Sequence, residues 1–167
     1  MELEKLRELQ RPLKTRYQAD KEASLVSFHT SGTLGEDISC RIDTGIAQVT
    51  AGLHPAAGGD GTLACSGDML MEALVACAGV TLNAVATNMG IQLQYTKIFA
   101  EGDMDFRGTL GVDKNVPVGI TKIRLRFDIQ DDIPEEKKLR LIELTERYCV
   151  IYQTLVHPPQ IETSGIS

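Results

Sequence analysis

Ser66-Gly67-Asp68-Met69-Leu70-Met71-Glu72-Ala73-Leu74-Val75-Ala76-Cys77, continued by Ala78-Gly79-Val80-Thr81-Leu82-Asn83-Ala84-Val85-Ala86, is apolar on nearly every side. Between Met69 and Ala86 only Glu72, Thr81 and Asn83 interrupt it. A helix with no polar face must be buried in protein or in lipid. A spanning helix needs about 20 predominantly apolar residues with few charges. This stretch is short and carries a carboxylate, so it predicts a helix buried within a protein and no membrane partner. Ser66 is the expected N-cap, and Asp68 lies in the first turn, where a carboxylate suits the helix dipole. The helix is expected to run to about Met89, with Gly90 as its stop.

Upstream, Leu3, Leu6, Leu9 and Leu13 make one apolar stripe among charges, a short helix expected to stop near Pro12. Leu25, Val26 and Phe28 read as the start of a strand, and Ser31-Gly32-Thr33-Leu34-Gly35 as a turn. Ile38, Cys40 and Ile42 alternate with polar neighbours. Asp43-Thr44-Gly45 is a second turn, and Ala47, Val49, Ala51 and Leu53 alternate again. Downstream, two strands are expected within residues 91–108 and a turn over Gly111 to Pro117. Ile123, Leu125, Phe127 and Ile129 give the cleanest strand. Pro134, Glu135 and Glu136 open a second helix whose apolar face uses Leu139 and Ile142, with Leu141 and Leu144 as further candidates. Val150 to Leu155 suggest further helical turns, and Gln160 to Ser164 a last short strand. Strands precede and follow a long central helix and do not alternate with helices one by one. That order predicts an α+β fold with antiparallel sheet. A helical arm over residues 1–16 and a single domain over 17–167 are expected.

The chain has 167 residues, 43% hydrophobic and 24% charged, enough for one domain with a core. Its net charge of -6 argues against a nucleic-acid partner, because phosphate recognition needs a basic patch. The basic strip Lys122-Ile123-Arg124-Leu125-Arg126 alternates, and so reads as the solvated face of a strand. Met1-Glu2-Leu3-Glu4-Lys5 is charged and no apolar h-region follows, which predicts a cytoplasmic protein with reduced thiols.

Gly58-Gly59-Asp60-Gly61-Thr62 lacks the lysine of a phosphate loop and reads as a turn. His29, His54 and His157 are dispersed, and no Cys-x-x-Cys is present, so no metal site is expected. No Gly-x-Ser-x-Gly elbow marks a hydrolase. Four cysteines remain. Cys40 alternates on the apolar side of a strand and reads as core. Cys65 precedes a helix start, which can lower a thiol pKa. Cys77 lies mid-helix and Cys149 follows a charged helix beside Arg147. By composition each reads as a buried, inert thiol.

The segment Ser66 to Cys77 is similar to the one that opens the central helix of the OsmC/Ohr family of thiol-dependent hydroperoxide reductases. That family has a Ser/Asn-Pro-x-Glu-Leu start, a Leu/Ala run and then a reactive cysteine. Its second cysteine opens a Cys-Pro-x-x-x-x-Leu segment, where this chain has Cys149-Val150-Ile151-Tyr152-Gln153-Thr154-Leu155. The element order and the Ile-Thr-Lys-Ile-Arg-Leu strand of residues 120–125 resemble the family too, from about residue 24 to the end. The resemblance implies an intertwined homodimer, with two central helices between sheets and active sites at the subunit interface. It implies a Cys77 thiolate that attacks an organic hydroperoxide and a Cys149 that resolves the sulfenic acid as a disulfide. It implies no bound cofactor, an external dithiol or thioredoxin-like reductant, and a role in oxidative-stress defence.

The chain departs from the family pattern at the groups around the thiol. The family pairs its cysteine with an arginine and a glutamate. Gly67 and Asp68 occupy the glutamate's place, with Asp68 as a stand-in one methylene shorter. No arginine lies between Leu53 and Cys77, where His54 is the only basic residue, and Arg16 is a distant candidate. Cys149 lacks the following proline. Loss of one electrostatic donor costs about 10²–10³ in rate. The alternative is therefore a degenerate member without peroxidase activity, a small-ligand-binding or stress-related dimer.

Overall fold

The computed structural model describes residues 2–28, 30–34, 39–43 and 48–165. The chain divides into two compact units, Met1–Leu70 with Gly102–Ile123, and Met71–Glu101 with Arg124–Ser167. Helices and sheets are both present, so the α+β expectation holds at that level.

The first unit begins with α1, Leu3–Ala19. The helix does not stop at Pro12 but runs through it. An interior proline removes one N–H from the ladder and bends the helix without necessarily ending it. The good helix formers around it carry the helix on to Asp20, whose amide donates to the Arg16 carbonyl at 2.8 Å. No residue of α1 is buried. Leu25, Val26 and Phe28 are not a strand: they follow a 3-10 turn over Glu22–Ser24 and stand exposed.

The expected turn at Ser31 is instead a strand. β1 (Ser31–Leu34), β2 (Ser39–Asp43), β3 (Gln48–Gly52) and β4 (Ala64–Cys65) form one sheet in that order. β1 with β2 and β2 with β3 are antiparallel, whereas β3 with β4 is parallel. Gly32 pairs with Ile42, so the glycine lies within a ladder. Residues 35, 38, 44, 45 and 47 of the sequence reading, with His29, lie outside the described residues.

Between β3 and β4 the glycine-rich loop is built by close contacts. A Cβ on Gly59 would lie 1.8 Å from the Leu53 carbonyl oxygen, so no other residue fits there. Asp60 accepts from the Thr62 amide at 2.9 Å and from its hydroxyl at 2.7 Å.

β4 leads directly into α2, Ser66–Asn88, with Ser66 as its first helical residue and not the cap before it. α2 ends as expected at Gly90, in the left-handed region at φ 69°. The Ile91 amide donates to the Ala86 carbonyl at 2.9 Å and the Gly90 amide to that of Thr87 at 3.1 Å. This paired pattern satisfies the last carbonyls of the helix.

In the second unit, Leu74, Ala78, Leu82 and Ala86 form the buried stripe of α2, one residue in every four. Leu82 and Ala86 cluster with Ile91 and with Leu141 of α4 (Glu135–Tyr148). Leu139, expected on the apolar face of α4, is 61% exposed, whereas Leu141 and Thr145 are fully buried. The stripe is thus set by the i, i+4 pair, not by the most hydrophobic spacing. α5 (Val150–Val156) follows as expected. Residues 160–164 carry no strand.

Residues 91–108 hold one strand, β5 (Thr96–Met104), not two. It pairs with β6, Ile120–Ile129. The Gln130 amide meets the Tyr95 carbonyl, Arg124 meets Glu101, and Thr121 meets Asp103. These pairs run in opposite order along the two strands, which makes them antiparallel. Where the second strand was expected, Asp105 accepts from the Arg107 amide at 3.0 Å and starts a short helix, α3 (Phe106–Thr109). Lys122, Arg124 and Arg126 are exposed along β6, as the alternation predicted.

Asp131 is a buried carboxylate with a full set of partners. It accepts from the Gln94 amide at 2.6 Å, the Tyr95 amide at 3.2 Å and the Thr96 hydroxyl at 2.7 Å. These bonds tie the entry of β5 to the exit of β6.

Candidate functional site

The second unit brings Cys77 and Cys149 together as neighbouring free thiols. Cys77 lies on α2 beside the buried stripe, between Leu74 and Ala78, and is half-buried. Cys149 is fully buried. It is the single non-helical residue between α4 and α5, with φ -72° and ψ 110°.

Local hydrogen bonds fix that joint. The Cys149 amide donates to the Thr145 carbonyl at 2.8 Å, the last bond of α4, and the Gln153 amide donates to the Cys149 carbonyl at 2.9 Å. Gln153 also reaches back with its Nε2 to the Glu146 carbonyl at 2.8 Å, satisfying an acceptor that the broken helix leaves over. The first amides of α5 have no acceptor within their own helix. Those of Val150 and Ile151 favour the charged form of the Cys77 sulfur.

The two sulfurs are biased in opposite directions. Burial pushes the Cys77 thiol up, but it is outweighed by hydrogen bonds to the Ile151 amide, the Cys149 thiol, the Val150 amide and the Thr81 hydroxyl. The net result is a Cys77 pKa below that of an ordinary thiol. Burial pushes the Cys149 thiol up, and the Cys77 sulfur beside it pushes in the same direction, so it is held as a thiol despite the nearby Tyr152 and Ile151 amides. A thiolate is the nucleophilic form of cysteine, so Cys77 is biased to be the more nucleophilic of the two. Tyr152, one turn into α5, has a raised pKa from burial and from Glu146.

Three other predicted site residues, His54, Asp68 and Arg16, belong to the first unit. His54 caps the 3-10 turn Pro55–Ala57 by accepting from the Ala56 amide on Nδ1 at 3.0 Å, and its ring stacks on Phe106 at 4.9 Å. Asp68 is exposed in the first turn of α2 and makes no hydrogen bond or ion pair among the described residues. Arg16 lies in the last turn of α1. Arg147 stacks over the Tyr148 ring at 5.4 Å and is not one of the groups that bias Cys149. The groups that favour the Cys77 thiolate are neutral donors. Three of them escaped the sequence reading: Thr81 and the amides of Val150 and Ile151. Thr81 was findable in principle, because i and i+4 share a helix face. The amides depend on a break at Cys149 that no proline or glycine announces.

The OsmC-like protein family model matches residues 59–164, and the chain belongs to that family. The fold is shared with the OsmC-like protein of Mycoplasma pneumoniae at 20% identity and a TM-score of 0.67, over 80% of this chain and 89% of that one. It is shared with the organic hydroperoxide resistance protein OsmC of Legionella pneumophila at 14% identity and a TM-score of 0.61, over 79% and 90%. It is shared also with the organic hydroperoxide resistance protein OhrB of Bacillus subtilis at 17% identity and a TM-score of 0.57, over 78% and 91%. No curated protein matches the chain.

Proposed function

We propose that this protein is a thiol-dependent reductase of organic hydroperoxides, with Cys77 as the peroxidatic and Cys149 as the resolving cysteine. The observation that carries the reading is the pair itself: one sulfur drawn toward thiolate beside a second one held as thiol. Two of the structural relatives named above are organic hydroperoxide resistance proteins.

In the first step the Cys77 thiolate attacks one peroxide oxygen. An S–O bond forms, the O–O bond breaks, and the alkoxide leaves as alcohol after taking a proton. Cys77 is oxidised by two electrons to sulfenic acid while the peroxide is reduced. Cys149 then attacks that sulfur. An S–S bond forms, the S–O bond breaks, and hydroxide leaves as water with the Cys149 proton. An external dithiol or thioredoxin-like reductant exchanges with the disulfide and restores both thiols. No cofactor is required.

The working unit in this reading is a cytoplasmic homodimer. α2 is long and apolar enough to cross a membrane by length and composition. Val80, at 74% exposure, and exposed Ala73 and Ala76 leave apolar surface on it. A second copy would cover such a face. The neutral donors at Cys77 favour a second reading, a family member that binds a small ligand without turning over peroxide.

The test is consumption of cumene hydroperoxide with dithiothreitol as reductant, for the wild type and Cys77→Ser. Turnover that vanishes in the variant supports the reductase. Equal background rates remove it in favour of the ligand-binding reading.

A further inference from the structure

We propose that Gln153 is a positioning residue for the redox pair: its side-chain amide, donating back across the joint to the Glu146 carbonyl, holds open the helix break that carries Cys149. The inference rests on reading Cys77 and Cys149 as that pair.

The break is not written in the local sequence. No proline or glycine lies between Glu135 and Val156, so composition calls for one continuous helix. In such a helix the Val150 amide donates to the Glu146 carbonyl, four residues back. Among the described residues that bond is absent. Cys149 has extended backbone, φ -72° and ψ 110°. The Glu146 carbonyl accepts instead from Nε2 of Gln153 at 2.8 Å, and Gln153 thus replaces the missing main-chain donor. Its backbone brackets the same residue. The Gln153 amide donates to the Cys149 carbonyl at 2.9 Å, and the Cys149 amide donates to that of Thr145 at 2.8 Å. Among the described residues the Gln153 bond is the one side-chain hydrogen bond that links α5 to α4.

The consequence is a joint with two alternatives. Glu146 and Gln153 are half-buried, so a carbonyl left without a donor there is costly. Without the Gln153 donor, the carbonyl regains a partner when the Val150 amide folds back onto it and the helix closes. Closure turns Cys149 to helical backbone values and redirects its side chain, which follows the backbone. With the donor, the open joint keeps every group paired and Cys149 keeps its present direction.

The experiment is the equilibrium of the Cys77–Cys149 disulfide with a glutathione buffer at pH 7, mapped at peptide level, in Gln153→Met and Gln153→Glu. One glutathione disulfide takes two electrons from the pair. The Cys77–Cys149 S–S bond forms, the glutathione S–S bond breaks, and the two thiol protons leave on the two glutathiones released. Both variants keep the length of the side chain. Methionine removes the donor without charge and glutamate removes it with one, so what they share is the lost hydrogen bond. In each, the pair needs a buffer roughly three- to tenfold more oxidising, the worth of one hydrogen bond. Thr154→Val, which loses a bond to the Val150 carbonyl within α5, leaves the midpoint unmoved. A folded Gln153→Met or Gln153→Glu whose midpoint superimposes on the wild type overturns the inference, as does an equal shift in Thr154→Val. If Gln153→Met does not fold, Gln153→Glu read against Thr154→Val decides in the same way. Glutathione exchange requires no peroxide. A wild type that forms the disulfide in this buffer but leaves hydroperoxide intact removes the reductase reading alone, and superimposed midpoints remove only the role of Gln153.

Discussion

Cys77 and Cys149 are neighbours with opposite biases: the half-buried Cys77 sulfur is drawn toward thiolate, and the fully buried Cys149 sulfur is held as thiol. Amides at the break between α4 and α5 favour the charged form of both sulfurs, and the asymmetry arises because burial and the neighbouring sulfur outweigh them at Cys149 while burial does not at Cys77. In the proposed reaction such a pair has a defined order of attack.

That order predicts the pH dependence of thiol modification. Cys77 alkylates at a pH where an ordinary thiol, titrating near ~8.5, is mostly protonated, and Cys149 only at higher pH. In Cys77→Ser the neighbouring negative charge is gone, so Cys149 moves back toward ordinary behaviour. Burial still keeps it above that level. Peptide-resolved alkylation across pH 5–10 checks both, and coincident profiles for the two thiols in the wild type contradict the asymmetry.

Asp131 predicts an acid limit to stability. Bonds from the Gln94 amide and the Thr96 hydroxyl, joined by the Tyr95 amide, hold its carboxyl below the usual aspartate range and outweigh burial. A depressed folded-state pKa contributes stability that is present above the unfolded value, ~3.9, and is lost as pH falls through the folded value. Asp131→Asn is therefore less stable than the wild type at pH 7, because its amide places a donor where three donors converge. The gap narrows as pH falls below 4. Urea denaturation at pH 7, 5 and 3 measures it, and a gap that stays constant with pH removes the ionised carboxylate from the account.

Leu141 and Leu139 separate core from surface on one helix. Leu141 is fully buried against Leu82 and Ala86, so Leu141→Ala costs about 2–5 kcal/mol. Leu139 stands 61% exposed, and Leu139→Ala is expected within about 0.5 kcal/mol. Equal losses in denaturant midpoint would show that another surface covers Leu139.

The central helix, its Gly90 stop, the β6 alternation and the second helix were legible because each rests on a local signal: hydrophobic continuity, a left-handed glycine, a two-residue period, a proline at a start. The errors fall where non-local pairing or a single local bond decides. Ser31-Gly32-Thr33-Leu34 reads as a turn by composition and becomes a strand because β2 pairs with it. Residues 91–108 lose their second strand to the Asp105 cap, an interaction within three residues that competes with the ladder. Pro12 was read as a stop, yet it costs α1 one bond. At the site, the resemblance drew attention to the two cysteines, which composition alone would have called inert. Asp68 and His54 were chosen because they stand where the resemblance places the family's glutamate and arginine; in the structure His54 caps a turn and Asp68 lies in the first turn of α2. The amides that favour the Cys77 thiolate were hidden because amides have no letter in a sequence.

The most direct test of the redox pair is peptide mapping of the reduced protein after one equivalent of cumene hydroperoxide, beside Cys77→Ser. The account predicts a Cys77–Cys149 disulfide within seconds to minutes in the wild type and none in the variant. Free thiols on both residues after that time, or oxidation of Cys77 that stops at sulfenic acid with Cys149 unreacted, would contradict it.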